Sequence, residues 1–154
     1  MAAVPSPVAV VTARDGTRPH GTTVSAFASL SLTPPMVLVS LDNRSQLLAL
    51  VRRTGRFGLN ILGVDQAELA TAFARSRPDS RRHRLVAERG PAPIAGLGGL
   101  GRRRGRRVRH GRDHTVLLAH VVAAEAGPGG PRLLTYHQRS FGTHPAGRLT
   151  TGRR

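Results

Sequence analysis

Between Gly21 and Ser45 lie the short polar side chains that could hold a ligand: Thr22, Thr23, Ser25, Ser29 and Ser31, then Ser40 and Ser45. The stretch from Gly21 to Leu32, GTTVSAFASLSL, carries no charge. Hydroxyls and exposed backbone N–H groups suit a flat, polar, anionic ligand, since they bond ring carbonyls and a phosphate without adding a titrating group. By themselves such residues are also ordinary loop polarity, and their order is what adds information. A second pair, Asp113-His114, stands just ahead of an apolar run, a place that also fits a plain turn with a capping aspartate.

Other catalytic constellations are missing. The 8 acidic residues are scattered singly, so no carboxylate pair stands out for hydrolysis. Among the 7 histidines there is no zinc-protease signature, and the chain has no phosphate loop or dinucleotide fingerprint. Gly96 to Gly101 is glycine-rich, but its surroundings predict neither a preceding strand nor a following helix, so a phosphate cradle is not expected there. With 0 cysteines, disulfides, thiolate zinc sites and cysteine nucleophiles are excluded. Redox chemistry therefore does not set the compartment, and cytoplasmic is the default expectation.

The elements that must position these residues read mainly as β. Residues 7–13 are a β-branched strand, and Arg14 to Thr17 supplies turn chemistry. Gly21 to Leu32 predicts a strand followed by an exposed small-residue loop, which Thr33-Pro34-Pro35 terminates. Met36 to Leu41 is a continuous apolar run, suggesting a strand buried on both faces. Asn43 or Ser45 could cap a helix over 46–53, with Leu47, Leu48, Leu50 and Val51 inward and Gly55 ending it. Phe57, Leu59 and Ile61 alternate as in a strand, and Asp65 opens an amphipathic helix through Phe73. Residues 76–112 show no convincing periodicity. Thr115 to Val122 and Leu133 to Tyr136 predict the last strands, and 147–154 a disordered tail. Strands outnumber helices without regular alternation, which predicts an antiparallel barrel or sandwich with helices packed on it.

Length and charge bound the function. A chain of 154 residues suits one domain, and no apolar run approaches the roughly 20 residues of a membrane span. The N-terminus lacks the features of a secretory signal. The net charge of +16 comes entirely from arginine, which raises nucleic acid as a partner. The arginines crowd locally, however, at Arg81, Arg82, Arg84 and Arg89 and again from Arg102 to Arg112, so they do not set the function of the whole chain.

In order, the residues from Gly21 through Pro34-Pro35 to Leu41 resemble the flavin reductase family, whose members have an FMN-binding split barrel. The similarity continues through Asp42-Asn43-Arg44-Ser45, Gly55 to Leu62, Gln66 to Ala74, Asp113 to Val121 and Leu133 to His137. It implies a mainly β, antiparallel split β-barrel with a few flanking helices, spanning residues 1–146. It also implies an NAD(P)H:flavin oxidoreductase that passes hydride from NADH or NADPH to FMN or FAD and supplies reduced flavin to a partner monooxygenase. Carried across residue by residue, Thr23, Val24, Ser25 and Ala26 match the segment lining the flavin ring and ribityl chain. Ser31 and Leu32 match the adjoining turn, and Ser40, Leu41 and Ser45 the strand end and loop reaching the ribityl and phosphate groups. His114, Tyr136 and His137 fall on the nicotinamide side. A homodimer is implied, with no catalytic acid or base, no metal, no membrane contact and no nucleic acid.

Two departures from the family pattern stand out. Its members carry a helix before the first strand, whereas this sequence opens almost on the strand. Where they have a loop and a core strand leading to Gly-Asp-His, this chain has the arginine run and Gly111-Arg112-Asp113-His114. A shifted reading frame would account for the run: with third codon positions chosen freely, Leu97 to Arg107 can be encoded so that dropping one base gives Trp-Val-Ala-Trp-Val-Asp-Ala-Glu-Val-Val, a strand-like stretch. Sequencing of the coding DNA decides this. The competing functions are a non-catalytic flavin-binding split barrel and an arginine-rich nucleic-acid-binding protein. The latter is weakened by the lack of interleaved aromatics for base stacking.

Overall fold

The computed structural model describes residues 3–15, 18–74, 94–98, 109–110, 112–125 and 132–143. The expected disordered tail at 147–154 and the run from Arg102 to Arg107 lie outside the described residues. Two short strands, β1 (Ser6–Pro7) and β2 (Ala9–Asp15), lead into β3 (Arg18–Val24) through a hairpin in which Asp15 faces Arg18. The β2 strand thus runs two residues into the stretch read as turn. Period-two alternation along β2 serves two cores at once, since a strand sends successive side chains to opposite faces. Ala9, Val11 and Ala13 enter one core, and Val8 and Val10 enter the other.

After a two-residue link at Ser25-Ala26 the chain forms β4 (Phe27–Leu32), a strand where the sequence predicted a loop. Pairing with β5 (Pro35–Asp42) imposes this, with Phe27 opposite Val39 and Leu32 opposite Pro35, and a bulge between Ser29 and Ser31. Along β5 only Val39 and Leu41 are fully buried, and Met36, Val37, Leu38 and Ser40 are half-buried. The apolar run therefore reflects a central strand with one well-covered face, not burial on both.

Helix α1 (Gln46–Thr54) follows its sequence signals closely. Ser45 caps its start, accepting a hydrogen bond from the Leu48 backbone N–H, and Gly55 ends it in the left-handed region at φ 71. Leu47, Leu48, Leu50 and Val51 are buried in one core with Val11 of β2, Val39 of β5, Leu117 and Ala119. A helix of 9 residues is marginal alone, so this packing, at about 1.5–3 kcal/mol per buried side chain, is what holds it. β6 (Arg56–Ile61) then buries Phe57 and Leu59. Asn60 is buried too, its amide donating to the Val10 carbonyl at 3.1 Å. A short 3₁₀ turn at Val64–Gln66 enters α2 (Ala67–Ala74), which sets Ala70 and Phe73 into the second core with Leu62 and Leu134.

Two strands fall within the stretch that showed no periodicity. β7 (Ile94–Gly98) adds to the edge of β6, and β8 (Arg109–His110) pairs with β9 (His114–His120). Part of the glycine-rich stretch is thus strand, its backbone recruited by a neighbouring edge without any side-chain pattern. The chain ends its described part in a hairpin of β10 (Leu134–His137) and β11 (Ser140–Thr143), turning through Gln138 and Arg139, both at positive φ.

Three antiparallel sheets result, ordered β1-β10-β11, β3-β2-β6-β7 and β4-β5-β9-β8, and none closes on itself among the described residues. The first two are stitched by Leu62 N–H to Val8 O and Leu134 N–H to Leu62 O, each 2.9 Å. This is a mainly β, antiparallel split barrel with two short helices, as the resemblance implied.

Candidate functional site

The C-terminal end of β5 gathers part of the candidate set, namely Ser25, Ala26, Ser40, Leu41, Ser45 and His114. Ser40 N–H donates to Ala26 O at 2.8 Å, so the exposed Ser25-Ala26 link lies beside Ser40. On the other flank β9 pairs with β5, placing Val116 opposite Ser40, Thr115 opposite Leu41 and His114 opposite Asp42. Neighbouring strands lie about 4.8 Å apart, which brings Ser25-Ala26, Ser40-Leu41 and His114 to one sheet end. The loop from Asp42 to Ser45 closes that end. Asn43 N–H donates to Asp113 O at 2.8 Å, Ser45 N–H to Asp42 O at 3.0 Å, and Arg44 N–H to Asp42 Oδ1 at 2.7 Å.

Each candidate contributes differently. Val24 and Leu41 are buried in the first core, so only their backbones can meet a ligand. The Thr23 hydroxyl donates to Ala70 O at 2.6 Å, tying β3 to α2. Ser25 and Ala26 are exposed, and Ser40 and Ser45 half-buried. Ser31 and Leu32 lie at the opposite end of β4, about 16–20 Å from Ala26 at 3.3 Å per residue, so the two groups can touch one ligand only if it lies along the strand. β4 suits that. It is the edge of its sheet, largely exposed and uncharged, and an edge strand turns alternate N–H and C=O groups outward.

His114 is half-exposed, its Nδ1 3.0 Å from Asp113 Oδ1. That bond is the main reason the Asp113 carboxyl is held below its ordinary range. Asp42 is held down likewise, chiefly by hydrogen bonding from Arg44, whose own guanidinium is raised by the pair. Both carboxylates stay ionised at neutral pH, and as exposed pairs they orient the loop more than they stabilise it. Tyr136 and His137 are placed elsewhere. Tyr136 packs on Phe141 with ring centroids 5.2 Å apart at the second core, and His137 Nε2 is 3.1 Å from Ala3 O. Within one chain Tyr136 packs in the core on the opposite side of β2 from the core that β9 lines.

Sequence reasoning missed one part of this cluster. Thr115 is fully buried, its hydroxyl donating to Asn43 Oδ1 at 2.6 Å and accepting from Arg52 Nη2 at 3.0 Å. Asn43 and Thr115 are 72 residues apart, and no local pattern joins them.

An open antiparallel barrel with an uncharged edge strand, beside a polar loop at one sheet end, is the split-barrel class that the resemblance implied. The family described as the flavin reductase like domain matches residues 1–145, and the chain belongs to it. It is 40% identical over 139 residues to the reductase component of 4-nitrophenol 4-monooxygenase/4-nitrocatechol 2-monooxygenase from Rhodococcus opacus, covering 89% of this chain and 74% of that protein. It is 34% identical over 136 residues to the reductase component of 4-hydroxyphenylacetate 3-monooxygenase from Thermus thermophilus, covering 88% and 87%. Among solved structures, the styrene monooxygenase flavin reductase of Pseudomonas putida S12 is similar with a TM-score of 0.72 and 28% identity, over 94% of each chain.

Proposed function

We propose that this chain is an NAD(P)H-dependent flavin reductase, a single domain over 1–146 that reduces FMN or FAD for use by a partner monooxygenase. One observation carries the reading: the chain's own pairing brings Ser25-Ala26, Ser40, Ser45 and Asp113-His114 to one end of β5 beside an uncharged strand edge. The residues fit a flavin. Outward backbone groups of β4 and the Ser25-Ala26 link suit the ring and ribityl chain, and Ser40 and Ser45 suit the ribityl and phosphate end. Bound flavin supplies an acceptor for the hydride of a nicotinamide, so the protein needs no acid or base. Its task is alignment of two rings and donation of N–H groups toward the edge that gains charge.

His114, held by Asp113, orients the nicotinamide in this reading. Tyr136 and His137 belong to the nicotinamide side on the resemblance alone, and a second copy is what would bring them there. A homodimer also supplies the second wall that a shallow edge-strand site needs. The names of the relatives from Rhodococcus opacus and Thermus thermophilus support a monooxygenase partner. The test is a flavin titration followed by an NADH assay. The expected result is flavin binding together with NADH oxidation that depends on added flavin. A folded protein that binds neither FMN nor FAD refutes the proposal, and light scattering that shows a flavin-binding monomer refutes the dimer.

A further inference from the structure

The inward row of β9 is Thr115, Leu117 and Ala119, all buried, and Thr115 alone among them carries a polar side-chain atom. A hydroxyl in such a row is tolerated only when bonded, and this one is bonded on both sides. It donates to Asn43 Oδ1 at 2.6 Å and accepts from Arg52 Nη2 at 3.0 Å, so it links the loop before α1 to the last turn of the same helix. Asn43 passes the restraint on. Its backbone N–H donates to Asp113 O at 2.8 Å and its Nδ2 to Arg112 O at 3.5 Å. The loop bearing Ser45 and the turn bearing His114 are joined by the Asn43–Asp113 backbone bond and the pairing of Asp42 with His114, and the buried Thr115 hydroxyl adds the bond that holds the Asn43 side chain between them.

We propose that Thr115 is a positioning residue that sets the flavin-side loop and the nicotinamide-side turn in register, acting through Asn43. The inference rests on the flavin reductase reading of the site. Valine fills the same volume without the hydroxyl, and serine keeps the hydroxyl without the methyl. In Thr115→Val, the KM for NADH and the Kd for FMN should both rise, by about tenfold for the loss of a buried bond. The Asn43 amide should also exchange its hydrogen faster, which is read without any flavin or NADH present. Thr115→Ser should stay within about twofold of the parent on all three measures. Asn43→Ala, an exposed change, should reproduce the effect of valine, and the double variant should be no worse, as expected of residues acting as one unit.

A purely structural role would lower the melting temperature while leaving KM, Kd and the Asn43 exchange rate unchanged in the folded protein. That result overturns the proposal, as does Thr115→Ser behaving like Thr115→Val. If Thr115→Val does not fold, Asn43→Ala decides: unchanged KM and Kd sink the idea. Failure of the underlying function is distinguishable, because the parent protein would then oxidise no NADH, while the exchange measurement still reports on the link.

Discussion

Replacing Ser45 by aspartate separates the two demands placed on that position. As N-cap of α1, the Ser45 hydroxyl accepts from the Leu48 N–H at 3.4 Å, a long bond, so Ser45→Ala should cost about 0.5–1 kcal/mol of stability. Aspartate keeps the acceptor and adds charge at a helix start whose first turn has no acidic residue, a gain of about 0.3–1 kcal/mol over alanine from the helix dipole. At the proposed phosphate end the same charge repels. Two unit charges about 4 Å apart interact by about 1 kcal/mol in water and about 4 near a protein surface. Since Ser45 is half-buried, about 1–2 kcal/mol is the working figure, or about 5–30-fold weaker FMN binding. Riboflavin, lacking the phosphate, should bind both proteins nearly equally. The assay is fluorescence titration of FMN and riboflavin at low and high salt, beside thermal melts. An aspartate variant at least as stable as Ser45→Ala, with FMN affinity unchanged at low salt, refutes the phosphate assignment.

Gly21 has no room for a side chain, since a Cβ there would lie 2.5 Å from Cε1 of the buried Phe73 ring. Gly21→Ala should destabilise by about 1–3 kcal/mol in urea unfolding, and unchanged stability would contradict the packing of α2 on β3. His114→Ala should raise the KM for NADH about tenfold with flavin affinity nearly intact, and equal loss of both would deny it a nicotinamide-side role. Asp113 is depressed chiefly by its hydrogen bond with His114, so its contribution is complete above the ordinary value of 3.8 and disappears as pH falls through the lower folded value. An NMR titration of its carboxyl carbon checks this, and a midpoint at or above 3.8 contradicts it.

What could be read from the sequence was local. Ser45, the four inward residues of α1 and Gly55 all act within one helix, and each is where caps and periodicity place it. β4 was misread because Ala28, Ser29 and Ser31 have no strand preference of their own, and pairing with β5 decides their conformation. β11 escaped because Gln138-Arg139 lacks the glycine or asparagine that usually marks a turn with two positive φ values. At the site, the order of residues pointed to Ser25, Ser40 and Ser45. The Asn43–Thr115 bond could not be read, because it depends on β5 and β9 lying side by side.

The proposed function requires hydride transfer from a nicotinamide to a flavin on this protein. Anaerobic mixing of the protein and FMN with NADH, protiated or deuterated at the transferred position, tests it most directly. The expected result is bleaching of the flavin absorbance, one NADH consumed per flavin, and slower bleaching with the deuterated donor. Folded protein with flavin bound, leaving that flavin oxidised in the presence of both NADH and NADPH, would contradict it.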